Sequence, residues 1–235
     1  MKISTTLLPF ALLFCFIPTV NAQDDLDEED LRQWSRGAQI VATKSSNDVE
    51  GTPYYNEEWL KGYVLLESGK KSETVNLKYN SYTNELLFKK DGNLLAVLPN
   101  IMKGFVLVNG SRQTVFRNGF KSEDNDILPT HNLRIIHEGR VELVAKHDVR
   151  QHTRRDVLGG GNQVIKYLPK KDYYLITAGG KFHDIKLKEK DILKALNSHQ
   201  KQLKNYAKKK SLSFKNENDL RSILLEYDNL LKMEK

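Results

Sequence analysis

The sequence predicts a mostly β protein, an antiparallel β-sandwich or half-open barrel with a C-terminal helical segment. Two observations carry this expectation. Between Gly51 and Leu187, short apolar–polar alternations are cut at close intervals by turn residues, the pattern of successive hairpins. From Lys188 the apolar period changes from two to about 3.6, which is the period of a helix with one buried face.

Taken in order, the chain begins with Lys2 and an apolar run from Leu7 to Ile17, followed by Val20 and Ala22 at the −3 and −1 positions of a cleavage site. A run of about eleven residues is too short to span a bilayer and fits a secretory signal. Residues 1–22 are therefore expected to be a signal peptide, with the mature chain exported to the periplasm, the outer-membrane surface or the medium. No later stretch is apolar enough for a transmembrane helix. The single cysteine, Cys15, lies inside the signal, so the mature chain is expected to have no disulfide, thiol nucleophile or Cys-ligated metal.

Residues 23–50 read as a mobile acidic leader, because six of the seven residues from Asp24 to Asp30 are carboxylates and there is little to bury. The charge is lopsided. Residues 23–139 carry a net −4 and residues 140–235 a net +10. The densest basic run, Lys208-Lys209-Lys210, sits where a helix should end and where lysines suit the helix dipole. At about 1 kcal/mol per lysine the run gives about 3 kcal/mol on an anionic membrane, enough for weak contact with an anionic surface and not for anchoring. No aromatic-interleaved basic platform, zinc finger or helix-turn-helix pattern accompanies it, so nucleic acid is not an expected partner.

Residues 51–187 are expected to form the antiparallel β domain. Tyr63–Leu66 turns through Ser68-Gly69-Lys70 into Thr74–Tyr79, with Val75, Leu77 and Tyr79 on one face. Asp91-Gly92 joins Glu85–Lys89 to Leu94–Leu98, and Asn109-Gly110 joins Phe105–Val108 to Thr114–Phe116; both dipeptides are strong hairpin turns. Glu138-Gly139 separates Leu133–Ile136 from Val141–Val144, and Gly179-Gly180 separates Tyr173–Ile176 from Phe182–Leu187. Residues 145–170, with Arg150, Arg154, Arg155, Gly159-Gly160-Gly161 and Pro169, read as a long irregular loop. Residues 188–235 are expected to be a helical tail packed on the β domain. Leu193, Leu196, Leu203 and Tyr206 share one face, interrupted near Asn197-Ser198. Asn216 is a plausible N-cap for a stripe made by Leu220, Ile223, Leu224, Tyr227, Leu230 and Leu231.

Chemistry-bearing motifs are sparse. The triple glycine lacks the Lys-Ser/Thr pair of a phosphate-binding loop, and there is no nucleophile elbow or zinc-binding His-Glu-x-x-His helix. The histidines at 131, 137, 147, 152, 183 and 199 are not spaced to hold one ion, and Asp124-Asn125-Asp126 lacks the glycine and distal glutamate of a calcium loop. No catalytic residue, metal or cofactor is assigned. The candidate ligand contacts are Tyr54, Tyr55 and Trp59 in Pro53-Tyr54-Tyr55-Asn56-Glu57-Glu58-Trp59. Aromatics with polar neighbours stack on a sugar or a peptide, and the same residues also suit plugging one end of a β-core.

The segments Gly51-Thr52-Pro53-Tyr54-Tyr55, Lys61-Gly62-Tyr63-Val64, Leu77-Lys78-Tyr79-Asn80-Ser81-Tyr82, Phe116-Arg117-Asn118-Gly119-Phe120 and Leu212-Ser213-Phe214-Lys215-Asn216-Glu217 resemble a family of small secreted proteins common in Bacteroidota. The resemblance covers most of the mature chain and carries no known activity. It implies a β-rich secreted or envelope domain with a helical tail in a Gram-negative setting; the acidic leader departs from the pattern. The expected function is non-enzymatic binding of a partner protein or envelope component. Two alternatives stand beside it: a carboxylate-dependent hydrolase of carbohydrate or envelope polymer, and a carrier of an apolar ligand in the β-core.

Overall fold

The computed structural model describes residues 38–40, 49–90, 92–155 and 163–233. The expected signal peptide, the acidic run from Asp24 to Asp30 and the triple glycine lie outside these residues. The described chain is mostly β and forms one large open sheet of twelve strands. These are β1 (Ala38–Ile40), β2 (Val49–Glu50), β3 (Leu60–Leu66), β4 (Val75–Asn80), β5 (Glu85–Lys90), β6 (Asn93–Val97), β7 (Met102–Asn109), β8 (Arg112–Arg117), β9 (Leu133–His137), β10 (Glu142–Arg155), β11 (Gln163–Thr177) and β12 (Lys181–Ile185). The spatial order is β1-β6-β5-β4-β3-β7-β8-β9-β10-β11-β12, antiparallel throughout, and β2 adds a short parallel pairing to β11. Two short pieces of the segment expected to be a mobile leader, β1 and β2, thus belong to the sheet.

The first half of the sheet is curled. β4 and β8 stand three strand spacings apart, which on a flat sheet is ~14 Å, yet the Tyr79 and Phe116 rings are 5.1 Å apart. Bulky side chains on one face draw the strands together. Val64, Leu77, Leu86, Phe88, Phe105 and Phe116 form a single cluster, each at most 1% exposed. Phe105 and Phe116 stack with centroids at 4.6 Å. Of the two architectures expected, the half-open barrel describes this part.

The second half is covered by helices: α1 (Glu189–Leu196), α2 (Gln200–Lys209) and α3 (Glu217–Met233). The change of period at Lys188 is where they begin. Asn197 ends α1 in the left-handed conformation, and Asn216 Oδ1 accepts the backbone N–H groups of Asn218 and Asp219 to cap α3. The stripe of Leu220, Ile223, Leu224 and Tyr227 is buried against Leu143, Ala145, Leu175 and Ile185 of the sheet. Behind this layer His137 Nε2 lies 3.0 Å from Asp228 Oδ2, and Asp228 Oδ1 accepts the Arg140 N–H at 3.0 Å. Gly139 between them has no room for a side chain, because a Cβ there would strike the Asp228 carboxylate.

The expected loop over 145–170 is overturned. β10 and β11 run on as a two-stranded arm, paired from Glu142↔Ile176 out to Arg155↔Gln163, well beyond the last pairs of β9 (Lys146↔Leu133) and β12 (Tyr173↔Ile185). With its faces largely solvated, the arm needs no apolar alternation. Pro169 is accommodated opposite Val149, at a level where β11 has no strand on its outer side and the missing N–H leaves no ladder bond unmade.

Candidate functional site

The segment after β2 crosses from the arm to the curled half. Gly51 permits the crossing. Its φ is +77°, and a Cβ would lie 2.6 Å from the Tyr167 carbonyl oxygen. Residues 53–55 then lie along the end of β4, where Tyr55 N–H donates to Tyr79 O at 2.9 Å and Ser81 N–H to Pro53 O at 2.8 Å. This places Tyr54, Tyr55 and Ser81 beside the root of the β10–β11 arm. Between them is a cleft of about 490 Å³, with His147, Asp148, Lys170 and Lys171 on the arm side and Val149 and Pro169 as apolar lining.

Tyr55 is a wedge, edge-on to Phe116 at 5.1 Å and to the His147 ring at 4.8 Å. It packs on the core ring of Phe116 and lines the cleft. Tyr54 joins it in the cleft and carries Lys78 Nζ over its ring at 4.3 Å. Trp59 is not brought to this cleft. It stands on the other side of Lys78 and is also covered by Lys89, whose ammonium is 5.0 Å from its ring.

Beside the cleft runs a polar chain, buried at Arg134 and half-buried at His147, Tyr173 and Glu217. Arg134 on β9 is 6% exposed. Its Nε–H donates to His147 Nε2 at 3.0 Å and its Nη2 to Glu217 Oε1 at 2.6 Å. Tyr173 donates its hydroxyl to the same Oε1 at 2.6 Å, and Lys171 Nζ is 3.4 Å from it. Glu217 is the first residue of α3, where the helix dipole also favours a carboxylate. Burial alone would raise its pKa, but the hydrogen bonds from Arg134 and Tyr173 and the charges of Arg134 and Lys171 win, bringing it down to about 2.

The Arg134 contact also fixes the chemistry of His147. A guanidinium only donates, so Nε2 is the acceptor and the neutral ring carries its proton on Nδ1. Burial, reinforced by Arg134 and Lys171, pulls the His147 pKa down to about 3, so the ring stays neutral at ordinary pH. It offers an N–H donor and no charge. Asp148 Oδ1 accepts its neighbour's Val149 N–H at 2.8 Å.

Ser81 completes the site. The residue is 5% exposed and its Oγ has no hydrogen-bond partner, although it lines the cleft. A buried hydroxyl left unpaired costs about 1–3 kcal/mol. The cleft is therefore lined by an imidazole, a carboxylate and two ammonium groups beside an aromatic wall, with the Ser81 hydroxyl buried in that lining. Ser81, His147, Asp148, Lys171 and the polar chain of Arg134 and Glu217 escaped the sequence reading. They come from separate strands and a helix, and no local spacing connects them.

Three further clefts lie along the sheet–helix boundary and the β8–β9 surface. Two of these adjoin, sharing Gln113, Ile135, Ile136, Asn218 and Arg221 in their linings, and they carry Glu138 and Glu217 respectively. No group of three His, Cys, Asp or Glu side chains among the described residues is placed to hold a metal ion. The Glu123–Asn125 turn is one of exposed and half-buried residues, with Lys121 paired to Glu123 at 3.0 Å. No helix among the described residues is long and apolar enough to cross a membrane. Comparison with family models, with curated proteins and with solved structures gives no match for this chain.

Proposed function

We propose that this protein is an exported, non-catalytic binding module that takes a hydroxyl-rich ligand, a sugar unit of an envelope glycan, in the cleft of Tyr54, Ser81 and His147. The observation that carries the reading is the aromatic-walled cleft lined by polar residues, with the unpartnered Ser81 Oγ buried directly behind its surface. A sugar hydroxyl both donates and accepts, so it satisfies Ser81, the His147 Nδ1–H, the Asp148 carboxylate and the Lys171 ammonium in any order. A pyranose face also stacks on a tyrosine. Export rests on the signal-like Met1–Ala22 segment, and the envelope setting on the resemblance to secreted Bacteroidota proteins.

The two alternatives have less support. A glycoside hydrolase needs two facing carboxylates, and the Tyr54 cleft is lined by one, Asp148. A carrier needs room inside the β-core, where Tyr79, Phe88, Phe105 and Phe116 fill the curl with their own rings.

Calorimetric titration with mono- and disaccharides typical of bacterial envelopes tests the proposal. Saturable binding that is lost in Ser81→Ala and weakened in Tyr54→Ala is expected, with no product formed on long incubation. Turnover of any glycan, or binding indifferent to both substitutions, would overturn it.

A further inference from the structure

A second cleft lies where the β11–β12 turn and the residues leading into β10 meet α1 and α3. It measures about 610 Å³. Its floor is apolar: Val141, Leu196 and Tyr227 are buried and Leu231 is half-buried. Its rim is cationic. Arg140, Lys181 and Lys194 are exposed, and no Asp or Glu side chain lines the cleft.

These three cations differ from many on the molecule. Arg117 pairs with Glu138, Arg134 with Glu217, Arg154 and Lys166 with Glu50, and Lys170 with Asp172. The side chains of Arg140, Lys181 and Lys194 make no ion pair or hydrogen bond among the described residues. Lys194 lies in the last turn of α1, where Leu193 O accepts the Asn197 N–H and Gln200 Nε2 and Leu196 O accepts the Tyr227 hydroxyl. His183 adds hydrogen bonding rather than charge, with Nε2 3.2 Å from the Thr177 hydroxyl and a pKa lowered by burial and by Lys181. Like charges gathered around an apolar floor are relieved by a ligand that brings opposite charge and an apolar body together.

We infer that this cleft binds an anionic amphiphile: a hydrocarbon chain laid on Val141, Leu196, Tyr227 and Leu231, with a carboxylate or phosphate head held among Arg140, Lys181 and Lys194. The inference is independent of the Tyr54 cleft, with which this one shares no lining residue.

The test titrates the full chain with dodecanoate, dodecyl phosphate and dodecyl maltoside, each below its micelle concentration, and with acetate and inorganic phosphate as heads without tails. Binding is read by calorimetry and by the methyl NMR signals of Ala195 and Leu231. One anionic amphiphile or both are expected to saturate a single site and shift those methyls, and the tighter of the two identifies the head. Affinity should fall with added salt and be roughly tenfold weaker or worse in Lys181→Glu/Lys194→Glu. Both lysines are exposed, so the variant should keep the circular dichroism and melting temperature of the parent. Equal binding of dodecyl maltoside, undiminished affinity in the charge-reversed variant, or no saturation by either anionic amphiphile would overturn the inference.

Discussion

The two halves of the sheet use the same antiparallel ladder and bury it in different ways. The curled half, β3 to β8, bends over an aromatic cluster of its own side chains. The half from β9 to β12 buries one face under three helices. The cover is also tied down by polar contacts, Arg134 to Glu217 and His137 to Asp228, both of which join β9 to α3. Apolar packing is tolerant of sliding. A separate helical layer therefore needs directional contacts to set its position, whereas a sheet that curls is already positioned by its own ladder.

The largest expected effect breaks the curl. Phe105→Ala removes a fully buried ring stacked on Phe116 and should cost about 3–5 kcal/mol, read by urea unfolding. Next comes the helical cover. Arg134→Ala leaves Glu217 without its main partner and His147 without its donor, and should cost about 3 kcal/mol. A larger loss from Arg134→Ala than from Phe105→Ala would mean that polar ties, not the aromatic core, dominate.

The same chain of contacts predicts an acid response. Glu217 has a folded pKa of about 2 against an ordinary 4.5, so its stabilisation is complete above 4.5 and is lost as pH falls towards 2. The His147 pKa is lowered from 6.5 to about 3. Below 6.5 protons bind the unfolded chain first, and stability falls through the same acid range. Melting temperatures from pH 7 to 3 should therefore decline, and His147→Gln should remove the upper part of that decline while Glu217→Gln removes the lower part. Parallel curves for all three proteins would show that the chain does not couple to folding.

The smallest effects separate stability from function. Ser81→Ala should stabilise the fold by about 1 kcal/mol by deleting an unpaired hydroxyl while abolishing ligand binding. Asn216→Ala should cost about 1 kcal/mol through its lost cap, with binding in the Tyr54 cleft unchanged. Both are read by thermal melts alongside calorimetry.

Turn chemistry made much of the curled half legible. Gly92 and Gly110 adopt φ of +78° and +58° in the hairpins that their dipeptides announce, and Asn216 announces α3. The arm was hidden because alternation marks a strand only when one face is buried, and Arg150, Gln151, His152, Thr153 and Arg154 are exposed one after another. That the strands would join one sheet rather than two was also hidden, since a strand's pattern shows which face is buried and not which neighbour covers it. Of the candidate site, Tyr54 and Tyr55 stood out by their aromatic character. Ser81 and His147 carry no local signal, because an unpaired hydroxyl and a fixed tautomer are properties of their neighbours.

The joint between the halves is narrow. β8 and β9 share two register pairs, Phe116↔Arg134 and Arg117↔Leu133, where β10 and β11 share fourteen. Asn84 reinforces this joint from the side: its Oδ1 accepts Tyr79 OH and Asn132 N–H, and its Nδ2 donates to Thr130 O. Tyr54, Tyr55 and Ser81 belong to one side of that joint and His147 to the other. A ligand bound as proposed would touch both sides of that joint, so by reciprocity a substitution that steadied the joint would tighten such a ligand, and the ligand would steady the joint.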